Sequence, residues 1–254
     1  MKLKLNIRNE IKVAAALVGI SFLIAFGERK QRGSICNDIV IEIGNLHENH
    51  FLDEADVMKL VENSGQSVKG TGVDRIKLKE IESKLELDKH IHDAQLFGDL
   101  KGNLIVNVEL RRPVARIVQQ DAPDAYIADD GVIMPVSEKY TSRVMLLSGS
   151  FMKKLLESGD LNKTGEGRQI FEMINFINGE KFWKAQVAQM DIDNDARITI
   201  YPQVTGQKVE LGKATDFENK FKKLMIFYKK ILPQRGWTKY ERVNLEYEGQ
   251  VIAE

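Results

Sequence analysis

Residues 11–26, IKVAAALVGISFLIAF, form one apolar run behind the basic start MKLKLNIR, and only Lys12 interrupts it. As a helix this run would reach about 24 Å, short of a hydrocarbon core about 30 Å thick. Extending it to residues 9–28 closes the gap, because Lys12 can snorkel to the headgroups while Arg29 and Lys30 anchor the far side. A cleaved signal peptide needs a small-x-small site; Ala25-Phe26-Gly27 is a poor one, with Arg29, Lys30 and Arg32 close behind. A lipoprotein needs a small residue before its cysteine, yet Ile35 precedes Cys36. A buried core helix is the remaining alternative. The terminal position, the basic flank and the lack of polar breaks favour a membrane anchor, a transmembrane helix over residues 11–28. Lys2, Lys4, Arg8 and Lys12 lead the segment and Arg29, Lys30 and Arg32 follow it. The positive-inside bias is slight and points towards a cytoplasmic N-terminus.

The remainder, about 225 residues, is enough for one large or two small domains with real cores. The first twelve residues hold four basic and one acidic side chain, so the 37 and 37 of the whole chain become 33 and 36 without them. That balance argues against sequence-independent nucleic-acid binding, which needs a basic field. The single Cys36 permits neither an intrachain disulfide nor a thiolate metal cluster.

Residues 29–36 read as a tether and IVIEI at 39–43 as a strand. Over residues 51–65, Asp53 can cap a helix with Glu54 and Asp56 in its first turn, Leu52 can staple onto Val57, and Val57, Leu60 and Val61 make the buried stripe. A second helix over 78–87 carries Leu78, Ile81 and Leu85 on one face. Strands follow at 91–97 and 104–110, the latter alternating Leu104, Val106, Val108 and Leu110 inward. The order strand, helix, helix, strand, strand gives a small α+β module with both helices on one face of a sheet.

After Pro113 come short strands at 114–118, 126–128, 132–136 and 144–147, with Asp129-Asp130-Gly131 as a hairpin turn. A helix is expected over 168–178, then a strand pair at 186–192 and 197–201. Another helix is expected over 215–232, with a Thr215/Glu218 capping box and a stop at Pro233. The alternation at 240–247 predicts a strand with Val243, Leu245 and Tyr247 inward. Two placements are open for it: at a sheet edge, where unpaired backbone groups recruit a partner strand, or paired on both sides.

Sites for chemistry are scarce. Asp191-Ile192-Asp193-Asn194-Asp195 imitates an EF-hand opening, but Ala196 and Pro202 stand where the motif needs Gly and Glu. The pairs His47/His50 and His90/His92 lack zinc spacing, and Gly70-Thr71-Gly72 lacks the rest of a phosphate loop. Asp129 and Asp130 fit ordinary turn chemistry. Thus no catalytic, cofactor or metal residue is assigned.

Three stretches resemble motifs of the FtsQ/DivIB family of bacterial division proteins: Val108–Ala115 (VELRRPVA), Tyr126–Gly131 (YIADDG) and Arg242–Tyr247 (RVNLEY), in the family's order behind a basic start and a membrane segment. The resemblance implies an α+β fold. Residues 1–10 would be cytoplasmic, 11–28 the transmembrane helix and 29–36 the tether. A POTRA-like β-α-α-β-β domain would span 37–112, and a β-rich domain with two or more helices and a C-terminal edge strand would span 113–254. It further implies a non-enzymatic, single-pass scaffold of the cytoplasmic membrane with its bulk outside the cytoplasm. Such a scaffold binds FtsB- and FtsL-like partners by strand addition and helps control septal peptidoglycan synthesis, with no cofactor. The partner-binding residues so implied are Val243, Asn244, Leu245, Glu246 and Tyr247, with Gln250, Val251 and Ile252. Residues 151–167 and 201–211 match nothing in that pattern. A POTRA-type client-binding protein of outer-membrane assembly or secretion is one alternative, though the chain has too few strands for a terminal barrel. A membrane-anchored cell-wall enzyme is another.

Overall fold

The computed structural model describes residues 12, 14–21, 35–120, 122–204 and 206–254. Residues 12 and 14–21 are helical and exposed. Among the described residues no helix is long and apolar enough to cross a membrane, and half of the span expected at 11–28 lies outside them. The chain divides into two units, residues 1–46 with 52–110, and residues 47–51 with 111–254.

In the first unit, β1 (Ile39–Ile43) lies parallel to β3 (Leu104–Leu110), and β2 (Ile91–Gly98) pairs antiparallel with β3 on its other side. The central strand β3 carries the clean alternation: Leu104, Val106, Val108 and Leu110 are all buried. Helix α1 (Glu54–Glu62) starts at a capping box in which Asp53 accepts from the Asp56 amide at 2.9 Å and Asp56 accepts from the Asp53 amide at 3.1 Å. It buries Val57 and Val61, and α2 (Leu78–Leu85) buries Ile81 and Leu85, in one core with β3. Cys36, expected in the tether, is instead part of this core and 1% exposed, its amide donating to the Thr71 carbonyl at 2.8 Å.

The second unit is built on a nine-stranded sheet of order β12-β11-β10-β9-β8-β7-β4-β5-β6. Its members in chain order are β4 (Pro113–Ile117), β5 (Ala125–Ala128), β6 (Ile133–Pro135), β7 (Met145–Ser148), β8 (Val187–Ile192), β9 (Ile198–Pro202), β10 (Lys208–Gly212), β11 (Arg242–Asn244) and β12 (Ile252–Ala253). Leu147, Met190, Ile200, Val209 and Val243 bury one face in a core shared with α4 (Gly165–Gly179) and α6 (Phe217–Ile226); α3 (Met152–Ser158) and α5 (Lys181–Gln186) precede and follow α4. In the β8–β11 half, the alternate residues Gln189, Thr199, Glu210 and Asn244 are only partly covered.

Two expectations need correction here. The Thr215/Glu218 capping box does not form: α6 begins at Phe217, after Asp216 in the left-handed region at φ 50°, with no side-chain cap. The helix expected to run to residue 232 also changes pitch. Residues Phe227–Ile231 form a π turn, and Pro233 lies inside the first turn of α7 (Leu232–Arg235) rather than ending the helix. Proline has no N–H to return to the preceding turn, and the wider π spacing accommodates the missing bond. The stretch 201–211, which matches nothing in the family pattern, holds most of β10 (Lys208–Gly212), whose Val209 and Leu211 are buried.

Candidate partner-binding site

The sheet ends where the sequence reading placed its interest, but with one more strand. Strand β11 runs parallel to β10 through Lys208–Arg242, Val209–Val243 and Glu210–Asn244. On its other side β12 pairs antiparallel through Val243–Ala253 and Asn244–Ile252. The flank of Arg242–Asn244 is therefore already covered by the chain's own backbone, and the edge passes to β12. Of the two placements open for this strand, pairing on both sides is the one found over Arg242–Asn244.

Register fixes which backbone groups the new edge offers. Arg242 and Glu254 exchange both bonds, at 3.2 and 3.0 Å. Bonded and non-bonded pairs alternate in antiparallel ladders, so Asn244–Ile252 is the next bonded pair and Val243–Ala253 is not. The N–H and C=O of Ala253 therefore point away from β11, and continuing the same alternation by one pair would turn those of Val251, just before the strand, the same way. Among the described residues no strand pairs with that side of β12. The side chains of Val251 and Ala253 pack against the core, while Ile252 on the other face is 38% exposed.

A polar ladder joins β10 and β11 on their open face. Arg242 meets the Glu210 carboxylate with two bonds of 2.7 Å, and Asn244 Nδ2 adds a third at 2.8 Å. The Arg242 guanidinium, ahead of the opposing cost of burial, holds the Glu210 carboxyl below the usual carboxylate range. Past β11, Glu246 accepts from Arg197 Nη1 at 3.0 and 3.1 Å. The Glu246 side chain occupies the space of an absent Cβ at Gly212 (2.7 Å), and Gly212 has φ +72°.

The family model described as FtsQ/DivIB, C-terminal related, matches residues 112–254, more than half of the chain. The chain belongs to the FtsQ/DivIB family. A POTRA-like domain model matches residues 34–109. Among curated proteins none matches the chain. The FtsQ/DivIB family is one of cell-division scaffolds, which are typically bitopic in the cytoplasmic membrane.

Two of the stretches that carried the FtsQ/DivIB resemblance meet in the structure. Arg111 Nε donates to Asp130 Oδ2 at 2.7 Å, and the Asp129 amide donates to the Arg112 carbonyl at 2.8 Å. They therefore close the turn before β6, where Gly131 has φ +88°. The implied binding residues separate. Val243 and Leu245 are fully buried core residues, whereas Tyr247, expected inward, is 56% exposed. Its alternation fails because the strand ends at Asn244 and a turn follows, with the Gln250 amide returning to the Tyr247 carbonyl at 3.4 Å and Gly249 at φ +68°. Gln250, Val251 and Ile252 lead into or lie on the edge strand. Sequence reasoning missed Ala253, the strand residue that turns its amide outward, and Lys223, whose ammonium reaches the β11–β12 connection. In the sequence, Lys223 is one of several lysines of a helix and carries no distinguishing signal.

The EF-hand-like stretch is a hairpin turn. The Asp193 carboxylate accepts from the Asp195 and Arg197 amides, each at 2.9 Å, and Ala196 takes φ 59°. That is the geometry of an Asx-capped turn.

Proposed function

We propose that this chain is a non-enzymatic, single-pass scaffold of the bacterial division machinery. In this reading residues 11–28 anchor it in the cytoplasmic membrane, with the N-terminus in the cytoplasm and the two units outside. There it binds FtsB- and FtsL-like single-pass partners and helps control septal peptidoglycan synthesis. Family membership supports the cellular role. The observation that carries the binding mode is the open side of β12, where the outward N–H and C=O of Ala253 match what an added strand needs. The docking residues are then Gln250–Ala253, with Tyr247 beside them. Val243 and Leu245 support the edge from the core, and Asn244 and Glu246 fix it from the polar side.

Affinity isolation of the full-length chain, solubilised from membranes in detergent, tests the reading. Recovery in the membrane fraction with an FtsB-type protein bound supports it. Recovery as a freely dissolved protein, or isolation from membranes with no small single-pass partner, contradicts it.

A further inference from the structure

Strand β12 contains two residues, and so short a strand has little stability of its own. The connection leading to it, residues 245–251, runs as turn and coil. One side chain touches this connection at both ends. Lys223, on α6 beside the buried Leu224, directs its Nζ at three backbone carbonyls: Leu245 at 3.2 Å, Tyr247 at 2.8 Å and Gln250 at 3.2 Å. An ammonium has three donors and no acceptor, so this set matches its whole hydrogen-bonding capacity. The Arg197–Glu246 pair and the close approach of Glu246 to Gly212 fix only the start of the connection. Lys223 alone of these groups spans from its first residue to Gln250, next to the edge.

We propose that Lys223 is the positioning residue of the docking edge: by gathering the carbonyls of Leu245, Tyr247 and Gln250, it keeps β12 laid on β11 with Val251 and Ala253 turned outward for an incoming extended segment. The proposal rests on the reading that this edge takes a partner strand. Without the ammonium the three carbonyls turn to water, the connection recovers its conformational freedom, and β12 opens locally while the rest of the sheet stays closed.

Two readouts on the detergent-solubilised full-length chain test this: residue-level hydrogen exchange, and affinity for the extracytoplasmic fragment of the FtsB-type protein from the same organism. In Lys223→Met, exchange at the Arg242, Asn244 and Glu254 amides should rise by about tenfold or more, with β8 and β9 unchanged. Affinity for the fragment should fall by a similar factor. Lys223→Gln, with one planar amide, should lie between, and serves if the methionine variant fails to fold. Lys222→Met, on the exposed neighbour, should alter neither readout. Binding lost without faster exchange would make Lys223 a direct contact and overturn the positioning role. Faster exchange with binding intact, or exchange raised across the whole sheet, would overturn it as well. If wild type binds and Lys223→Met behaves like it, this inference alone falls; if wild type does not bind the fragment, the docking reading falls and takes the inference with it.

Discussion

Proline at residue 253 separates the backbone of the edge from the stability of the sheet. The Ala253 amide faces away from β11, because Arg242–Glu254 and Asn244–Ile252 are the bonded pairs. Ala253→Pro therefore removes a donor that the free protein does not use, at an edge strand where proline is tolerated. A partner strand loses more. Its carbonyl opposite residue 253 is left without a donor inside a formed ladder, which costs about 1–3 kcal/mol. That range is a weakening of about 5- to 150-fold in dissociation constant. Asn244→Pro is the counterpart: it deletes an amide that faces β12 and so should lower the melting temperature of the protein itself. The assay is titration of the full-length chain with the FtsB-type fragment, beside a thermal melt of each variant. A wild-type dissociation constant for Ala253→Pro, with its melt unchanged, would refute strand addition at this edge.

Other consequences follow from the same geometry. Because Arg242 holds the Glu210 carboxyl below its ordinary range, that pair adds stability above the unfolded value of about 4.3. This contribution is lost as pH falls through the lower folded value. Amide protection in β11 should thus stay level from neutral pH to about 5 and decline in more acid solution, and Glu210→Gln, read by hydrogen exchange, should flatten that decline. Gly149 sits at φ +104°, and an added Cβ would lie 2.7 Å from the Ile192 amide nitrogen and closer still to its carbonyl oxygen. Gly149→Ala should cost about 3 kcal/mol or more in urea unfolding; a loss below about 1 kcal/mol would mean that the turn after β7 relaxes freely.

The parts of the fold that local patterns specify were legible in the sequence. Asp53 capped the helix it was expected to cap, and the alternation at Leu104–Leu110 placed its buried face correctly. The failures occur where a distant partner decides. The alternation at 240–247 extrapolates past Asn244, but pairing with β12 and the turn at Gly249 end the strand and send Tyr247 to the surface. Ile252–Ala253 has too few residues for any period, so its strand character exists only through Arg242, Asn244 and the bonds across to them. The edge is a property of neighbours, and Lys223, which is 22 to 27 residues from the carbonyls it gathers, belongs to the same class. β10 was within reach, since Val209 and Leu211 alternate with Lys208 and Glu210, but an isolated five-residue stretch says little until β9 and β11 flank it.

The most direct measurement is hydrogen exchange at two amides, Val251 and Ala253, in the detergent-solubilised full-length chain with and without the FtsB-type fragment. Both should exchange freely in the unbound protein and become strongly protected on binding, while Asn244 is protected in either state. A bound complex in which Val251 and Ala253 still exchange at their free rates would contradict the account.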